Sequence, residues 1–198
     1  MTHYKRVPVT GPTAPKSPFG GTSYHDASTL PAYIDKLKLS IAVRRIKRIV
    51  INQRSNLSTV LPLLSSLEEL EGLSCYSAPL TDADIQEILR GTHVTNLSIG
   101  EVKLPRTELR WLNQEGIKFL LVRRTNFSNP AIANLPLSVQ HFNAERTRIN
   151  DDGLDSFVRL TNLTSLKLKR TPCTAAGIED LRQKMPWCKI EWAPLKRP

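Results

Sequence analysis

Apolar residues in this chain follow one spacing that recurs from unit to unit, and a recurrence of this length leaves few folds open. With Leu163, Leu166 and Leu168 as positions 1, 4 and 6 of a unit, the next apolar positions fall at Cys173 and Ile178. Val139, Phe142, Ala144 and Ile149 meet the same grammar, with Gly153 and its neighbour Leu154 at the last position. So do Ile117, Leu120, Val122, Phe127 and Ile132, then Val94, Leu97, Ile99, Leu104 and Leu109, then Leu70, Leu73, Cys75, Leu80 and Ile85. Ile46, Ile49 and Ile51 with Leu61 begin the series, and Trp187, Ile190 and Trp192 open a last, truncated unit. Unit starts therefore lie at 46, 70, 94, 117, 139, 163 and 187, spaced 22 to 24 residues apart. A unit this small cannot bury its own apolar stripe, so the units must stack and share one core.

Each unit divides into two halves. Positions 4, 5 and 6 alternate inward and outward, the pattern of a short strand. The second half carries the chemistry of helix starts. Thr81 with Asp84 three residues on has the form of a capping box, and Asn150 supplies a cap ahead of Asp151 and Asp152, acids that favour the positive end of a helix. Thr174 and Ser128 are the corresponding candidates in other units.

With those residues in place, the chain resembles a leucine-rich repeat protein over roughly residues 41 to 192. The unit endings PLTDADIQEIL and RINDDGLDSF are similar to the ribonuclease-inhibitor-like and cysteine-containing subclasses, and the closing PWCKIEW is similar to bacterial members. The resemblance implies an α/β solenoid, with a curved parallel sheet on one face and helices or turns on the other. It implies about six full repeats plus a truncated C-terminal cap, and a role in protein binding. One departure stands out. Position 9, usually asparagine or cysteine in the family, holds Arg54, Ala78, Val102, Thr125, Thr147 and Thr171, so a ladder of side-chain hydroxyls is open only to the last three.

The expected organisation is a Pro/Gly-rich tail over 1–23, an N-terminal capping helix over 24–42, repeats over 43–186, and a cap strand and tail over 187–198. The capping helix rests on Leu30, Ile34, Leu37 and Ile41, which share one helical face. Trp187, Ile190 and Trp192 are expected to close the other end.

Stacking converts the repeat into outward columns. Position 3 brings Phe119, His141 and Ser165 into line, and position 5 brings Leu121, Asn143 and Lys167. Position 7 aligns Arg123, Glu145 and Lys169, and position 8 aligns Arg124, Arg146 and Arg170. Neighbouring strands lie about 5 Å apart, so these basic residues crowd together, and an acidic partner would relieve their repulsion and be drawn in faster by it. Phe119 and Leu121 beside arginines have the composition of an interface hot spot. The same columns would also serve as a solvated face partly neutralised by Glu145, or as a seat for the N-terminal tail.

Charge is segregated along the chain. Residues 1–56 carry 10 basic and 2 acidic side chains, 57–116 carry 4 and 9, and 117–198 carry 14 and 7, within a net charge of +10. Basic ends flanking an acidic middle argue against a uniformly nucleic-acid-coating chain. His3, His25, His93 and His141 form no ligand or catalytic pattern, and no phosphate-binding loop is present. No catalysis, metal, cofactor or small-molecule substrate is expected. No window has the apolar length of a membrane span, and the first residues lack a secretory apolar core. Cys75 and Cys173 fill core positions and Cys188 sits in the cap, which points to reduced thiols in the cytoplasm, with a Cys173 to Cys188 disulfide as the alternative. The function expected is a non-catalytic module presenting a basic concave face to an acidic protein. A polyanion or RNA-backbone binder and a structural subunit of a larger assembly are the other readings.

Overall fold

Where apolar and polar residues alternate at the start of each unit, the chain runs extended and pairs with its neighbours. The computed structural model describes residues 25–26, 46–52, 57–64, 67, 69–78, 81–90, 92–104, 109–113 and 115–195. Eight strands follow in order: β1 His25–Asp26, β2 Arg48–Asn52, β3 Gly72–Tyr76, β4 Asn96–Gly100, β5 Phe119–Leu121, β6 His141–Asn143, β7 Ser165–Lys167 and β8 Lys189–Glu191. They form one sheet in sequence order, and every pair described is parallel. Register joins equal positions of successive units, so Leu73, Leu97, Leu120, Phe142, Leu166 and Ile190 form a single inward row. That row lies in the shared core with Ile49 and Ile51, all of them buried. The chain therefore folds as a leucine-rich repeat solenoid.

The second half of each unit returns through helical or turn structure. It forms α1 Leu57–Leu64, α2 Asp82–Arg90, a 3₁₀ turn at Arg110–Leu112, α3 Asn129–Ile132, a 3₁₀ helix at Asp151–Phe157 and α4 Ala175–Lys184. Two caps form as the sequence predicts. Thr81 Oγ1 accepts from the Asp84 amide at 3.2 Å while Asp84 Oδ2 accepts from the Thr81 amide at 2.7 Å, and Thr174 Oγ1 accepts from the Gly177 amide at 3.1 Å. Two do not. Ser128 and Asn150 occupy N-cap positions without a side-chain cap bond, and the Asn150 amide group is engaged instead by Asn129 and Asp152. Asp151 is likewise taken from its own helix start. Its carboxylate accepts from the amide and hydroxyl of Thr174 in the following unit, at 2.8 and 2.6 Å, and so ties two units together. Arg159 satisfies the carbonyls at the end of α3, with Nη2 donating to Ile132, Ala133 and Leu135 at 2.7 to 2.8 Å.

The threonines at position 9 are buried, and each donates to the carbonyl three residues back within its own unit. Thr125 reaches Val122 at 2.6 Å, Thr147 reaches Ala144 at 2.8 Å and Thr171 reaches Leu168 at 2.7 Å. The hydroxyls thus staple single units and build no ladder between them.

At the ends the structure departs from expectation. His25–Asp26 pairs with β2 as an extra strand, where the sequence placed the opening of the capping-helix segment. The helical face of Leu30, Ile34, Leu37 and Ile41 lies outside the described residues, as does the 1–23 tail. At the far end Trp187 is 44% exposed and does not fill position 1 of its unit. Met185 and Cys188 are buried there instead, while Trp192 packs partly against the core. The shift follows from α4, whose last turn brings Met185 inward through the bond from its amide to the Leu181 carbonyl at 2.9 Å. Cys75, Cys173 and Cys188 are free buried thiols. Burial pushes the Cys75 thiol up to about 12 and the Cys188 thiol up to about 11, which keeps the reactive thiolate scarce at neutral pH. No helix among the described residues is long and apolar enough to cross a membrane.

Candidate functional site

Outward side chains behave differently along the sheet because their sizes differ. In β3 and β4 most outward positions are small: Gly72, Ser74, Ser98 and Gly100. Arg48 lies along Gly72, where an added Cβ would meet its Cγ at 2.9 Å, and the Tyr76 ring lies over Gly100, where an added Cβ would meet it at 2.7 Å. Tyr76 Oη and Ser98 Oγ share a hydrogen bond of 2.8 Å, and Ser74 and Ser98 are both buried. From β5 onward the outward residues other than Ser165 are larger, and a groove opens. A cavity of about 520 Å³ is lined by Phe119, Leu121, His141, Asn143 and Lys167 together with Arg48, Asn96, Phe142 and Ser165.

The groove is organised by one aromatic pair. Phe119 and His141 occupy position 3 of adjacent strands and stack at 4.5 Å with an interplanar angle of 11°. Leu121, expected to stand outward and exposed, is at the floor of the groove and only 8% exposed. Asn143 Oδ1 accepts from the Glu145 amide at 3.0 Å, which fixes the side chain over the turn after β6. The Asn96 Oδ1 acceptor is buried without a hydrogen bond among the described residues.

The second part of the site is the rim beyond the strand ends. Ser77, Glu101, Arg124, Arg146 and Arg170 all adopt positive φ between 49 and 59°. Each is position 8 of its unit, and the left-handed turn aims its amide along the sheet. Arg124 donates to the Glu145 carbonyl at 2.9 Å, Arg146 to Lys169 at 3.0 Å and Arg170 to Ala193 at 2.7 Å. The backbone ladder thereby holds the three arginines in one row. Arg123, Glu145 and Lys169 join them around a common depression. On the outer side, Arg146 and Arg170 border a second depression with Thr147, Pro172 and the exposed Leu195.

Acidic residues neutralise part of this rim. Arg124 Nη1 reaches Glu101 Oε1 at 2.6 Å, and Lys169 Nζ reaches Glu191 Oε2 at 2.8 Å, with Lys167 3.8 Å away. The bond from Lys169 holds the Glu191 carboxyl below its usual range, and the same pairing raises Lys169. Arg123, Arg146 and Arg170 make no ion pair among the described residues. No group of three or more His, Cys, Asp or Glu side chains suited to a metal ion occurs among the described residues.

The residues singled out from sequence thus fall into two neighbouring places. Phe119, Leu121, His141, Asn143 and Lys167 line the groove, while Arg123, Arg124, Glu145, Arg146, Lys169 and Arg170 line the rim. The site expected from the sequence left out Arg48, Asn96 and Ser165, although all three stand at position 3 in the same column as Phe119 and His141. Pro172 and Leu195 carried no such signal, because the approach of Leu195 depends on the path of the chain after β8.

The architecture is that of bacterial leucine-rich repeat proteins. The chain is similar to an internalin, InlF, of Listeria monocytogenes, at 15% identity and a TM-score of 0.50, with 74% of this chain and 54% of the other covered. This chain therefore spans little more than half the length of that protein, and the likeness shows the fold alone. It is also similar to internalin C2 of the same organism, at 15% identity and a TM-score of 0.46 over 75% of this chain and 69% of the other. A protein from Bacteroides fragilis aligns at 9% identity and a TM-score of 0.39, over 88% of this chain and 74% of the other. No family model and no curated protein matches the chain.

Proposed function

We propose that this solenoid is a non-catalytic protein-interaction module whose strand groove and arginine rim receive an acidic surface of a partner protein. The observation that carries the reading is the row of Arg124, Arg146 and Arg170, fixed in register by the backbone ladder, with the last two free of ion pairs among the described residues. Holding like charges side by side is unfavourable, and an incoming carboxylate surface removes that cost. The stacked Phe119 and His141 next to the rim supply apolar contact area of the kind that anchors interfaces. Three free thiols support a reducing, cytoplasmic setting.

The test is affinity capture from lysate with wild type and with Arg124→Glu, Arg146→Glu and Arg170→Glu combined, each with and without nuclease. A protein captured by wild type, lost by the triple variant and indifferent to nuclease supports the reading. Capture that vanishes with nuclease favours an RNA or polyanion partner, whose binding falls steeply with salt. Equal capture by variant and wild type refutes the role of the rim.

A further inference from the structure

The rim also constrains the shape of what it binds. Arg124, Arg146 and Arg170 stand at equivalent positions of three successive units, so their backbones advance by one inter-strand spacing, about 4.8 Å, per step. A helix advances about 5.4 Å per turn, so carboxylates one turn apart drift only about 1 Å from the advance of the three arginine backbones over two steps. An extended peptide places same-side residues about 6.7 Å apart, so its third carboxylate falls about 4 Å out of phase. A helix matches the row and a strand does not.

A second observation points the same way. Arg146 and Arg170 border the shelf formed by Pro172 and Leu195, and Leu195 is 54% exposed. An amphipathic helix presents a charged stripe and an apolar stripe side by side along its length, whereas a nucleic-acid backbone offers phosphates with no apolar side chain for Leu195. Resting on the interaction reading above, we propose that the rim docks an acidic amphipathic helix of the partner. Its carboxylates, spaced three or four residues apart, engage Arg124, Arg146 and Arg170, and its neighbouring apolar residues cover Pro172 and Leu195. Arg123 and Lys169, on the inner side of the row, set the register by attracting a further acidic residue.

The probes are two capped synthetic peptides of identical composition and about 20 residues, long enough for a helix to form. In one, Glu and Leu recur at helical spacing; in the other they alternate with a period of two. Binding to the full chain is followed by fluorescence anisotropy at about 0.15 M salt, with wild type, Arg146→Glu/Arg170→Glu and Leu195→Asp. Circular dichroism confirms that each variant is folded. The helical peptide is expected to bind at least about tenfold more tightly than the alternating one, to lose detectable binding to the arginine variant, and to weaken severalfold with Leu195→Asp. Equal or tighter binding of the alternating peptide overturns the proposal, as does displacement of the helical peptide by a single-stranded RNA at lower concentration. Indifference to Leu195→Asp overturns the apolar half of it. If neither peptide binds while the triple variant still loses its captured protein, the helix is refuted and the interaction reading stands. Capture unchanged by the triple variant refutes that reading itself.

Discussion

The strands β2 to β4 and the strands β5 to β7 obey one inward grammar and present opposite outward faces. In the first set each strand runs five residues, and on the outward face Gly72 lies against Arg48 while Gly100 and Ser98 lie against Tyr76. In the second each strand runs three residues, and its outward aromatic, amide and lysine side chains stand half-buried around an open groove. The difference shows how a repeat varies its outward face without disturbing its core. Inward positions are interchangeable between units because they serve one core. Outward positions are free to be small, so that a neighbour folds over them, or large, so that a site forms.

The first way to break this comparison is to strike the shared core. Leu73→Ala in β3 and Leu166→Ala in β7 remove equivalent buried side chains, and each is expected to cost about 2 to 5 kcal/mol in urea unfolding. A large inequality would mean that the two halves do not share one core. The outward face gives the next effect. Ser98→Lys forces a charge under the Tyr76 ring at a position only 1% exposed, and is expected to destabilise by about 2 kcal/mol. Its mirror image, Lys167→Ser in the same column, should stay within about 0.5 kcal/mol of wild type. If both behave alike, the front face is not covered as described.

Thr171→Val sharpens the comparison at a smaller scale. Among the described residues the hydroxyl staple exists only in the rear units, since position 9 is Ala78 and Val102 in the units before them. Its loss leaves the Leu168 carbonyl short of a donor, for an expected cost of about 1 kcal/mol. The smallest effect is electrostatic. Glu191 is held below its ordinary value of 4.5 by Lys169, with further help from Lys167 and Lys189. Its stabilising contribution is therefore complete above 4.5 and fades as pH falls through the lower folded value. Glu191→Gln should lower stability slightly at neutral pH, by a deficit that vanishes as pH falls through that range, and so flatten that part of an acid unfolding titration.

Much of this arrangement was legible in the sequence, for a physical reason. Inward apolar residues at fixed positions 4 and 6 set the strand phase, and a one-residue slip would have turned every core side chain outward. The columns Phe119, His141, Ser165 and Leu121, Asn143, Lys167 therefore follow from spacing alone. Burial within a column does not. Leu121 is at the groove floor because of the size of what surrounds it, and Ser98 is covered because Gly100 lets Tyr76 lie flat. The left-handed turn at position 8 was also silent, because serine, glutamate and arginine carry no preference for it. Only the cooperative pairing of unit with unit imposes it. Trp187 misled because the repeat spacing puts it at position 1 of the last unit, while α4 had already delivered Met185 to that place.

The proposed function requires that the placement of charge on the rim, and not net charge, select the partner. The most direct measurement compares quantitative capture by the Arg124→Glu, Arg146→Glu, Arg170→Glu variant with capture by Lys103→Glu, Lys118→Glu, Arg148→Glu. The second set alters the same charge at exposed positions outside the groove and the rim depressions. The account predicts that the rim variant loses the partner at least about tenfold while the control stays within about twofold of wild type. Equal losses from both variants would contradict it, leaving the arginine row a solvated edge of the solenoid.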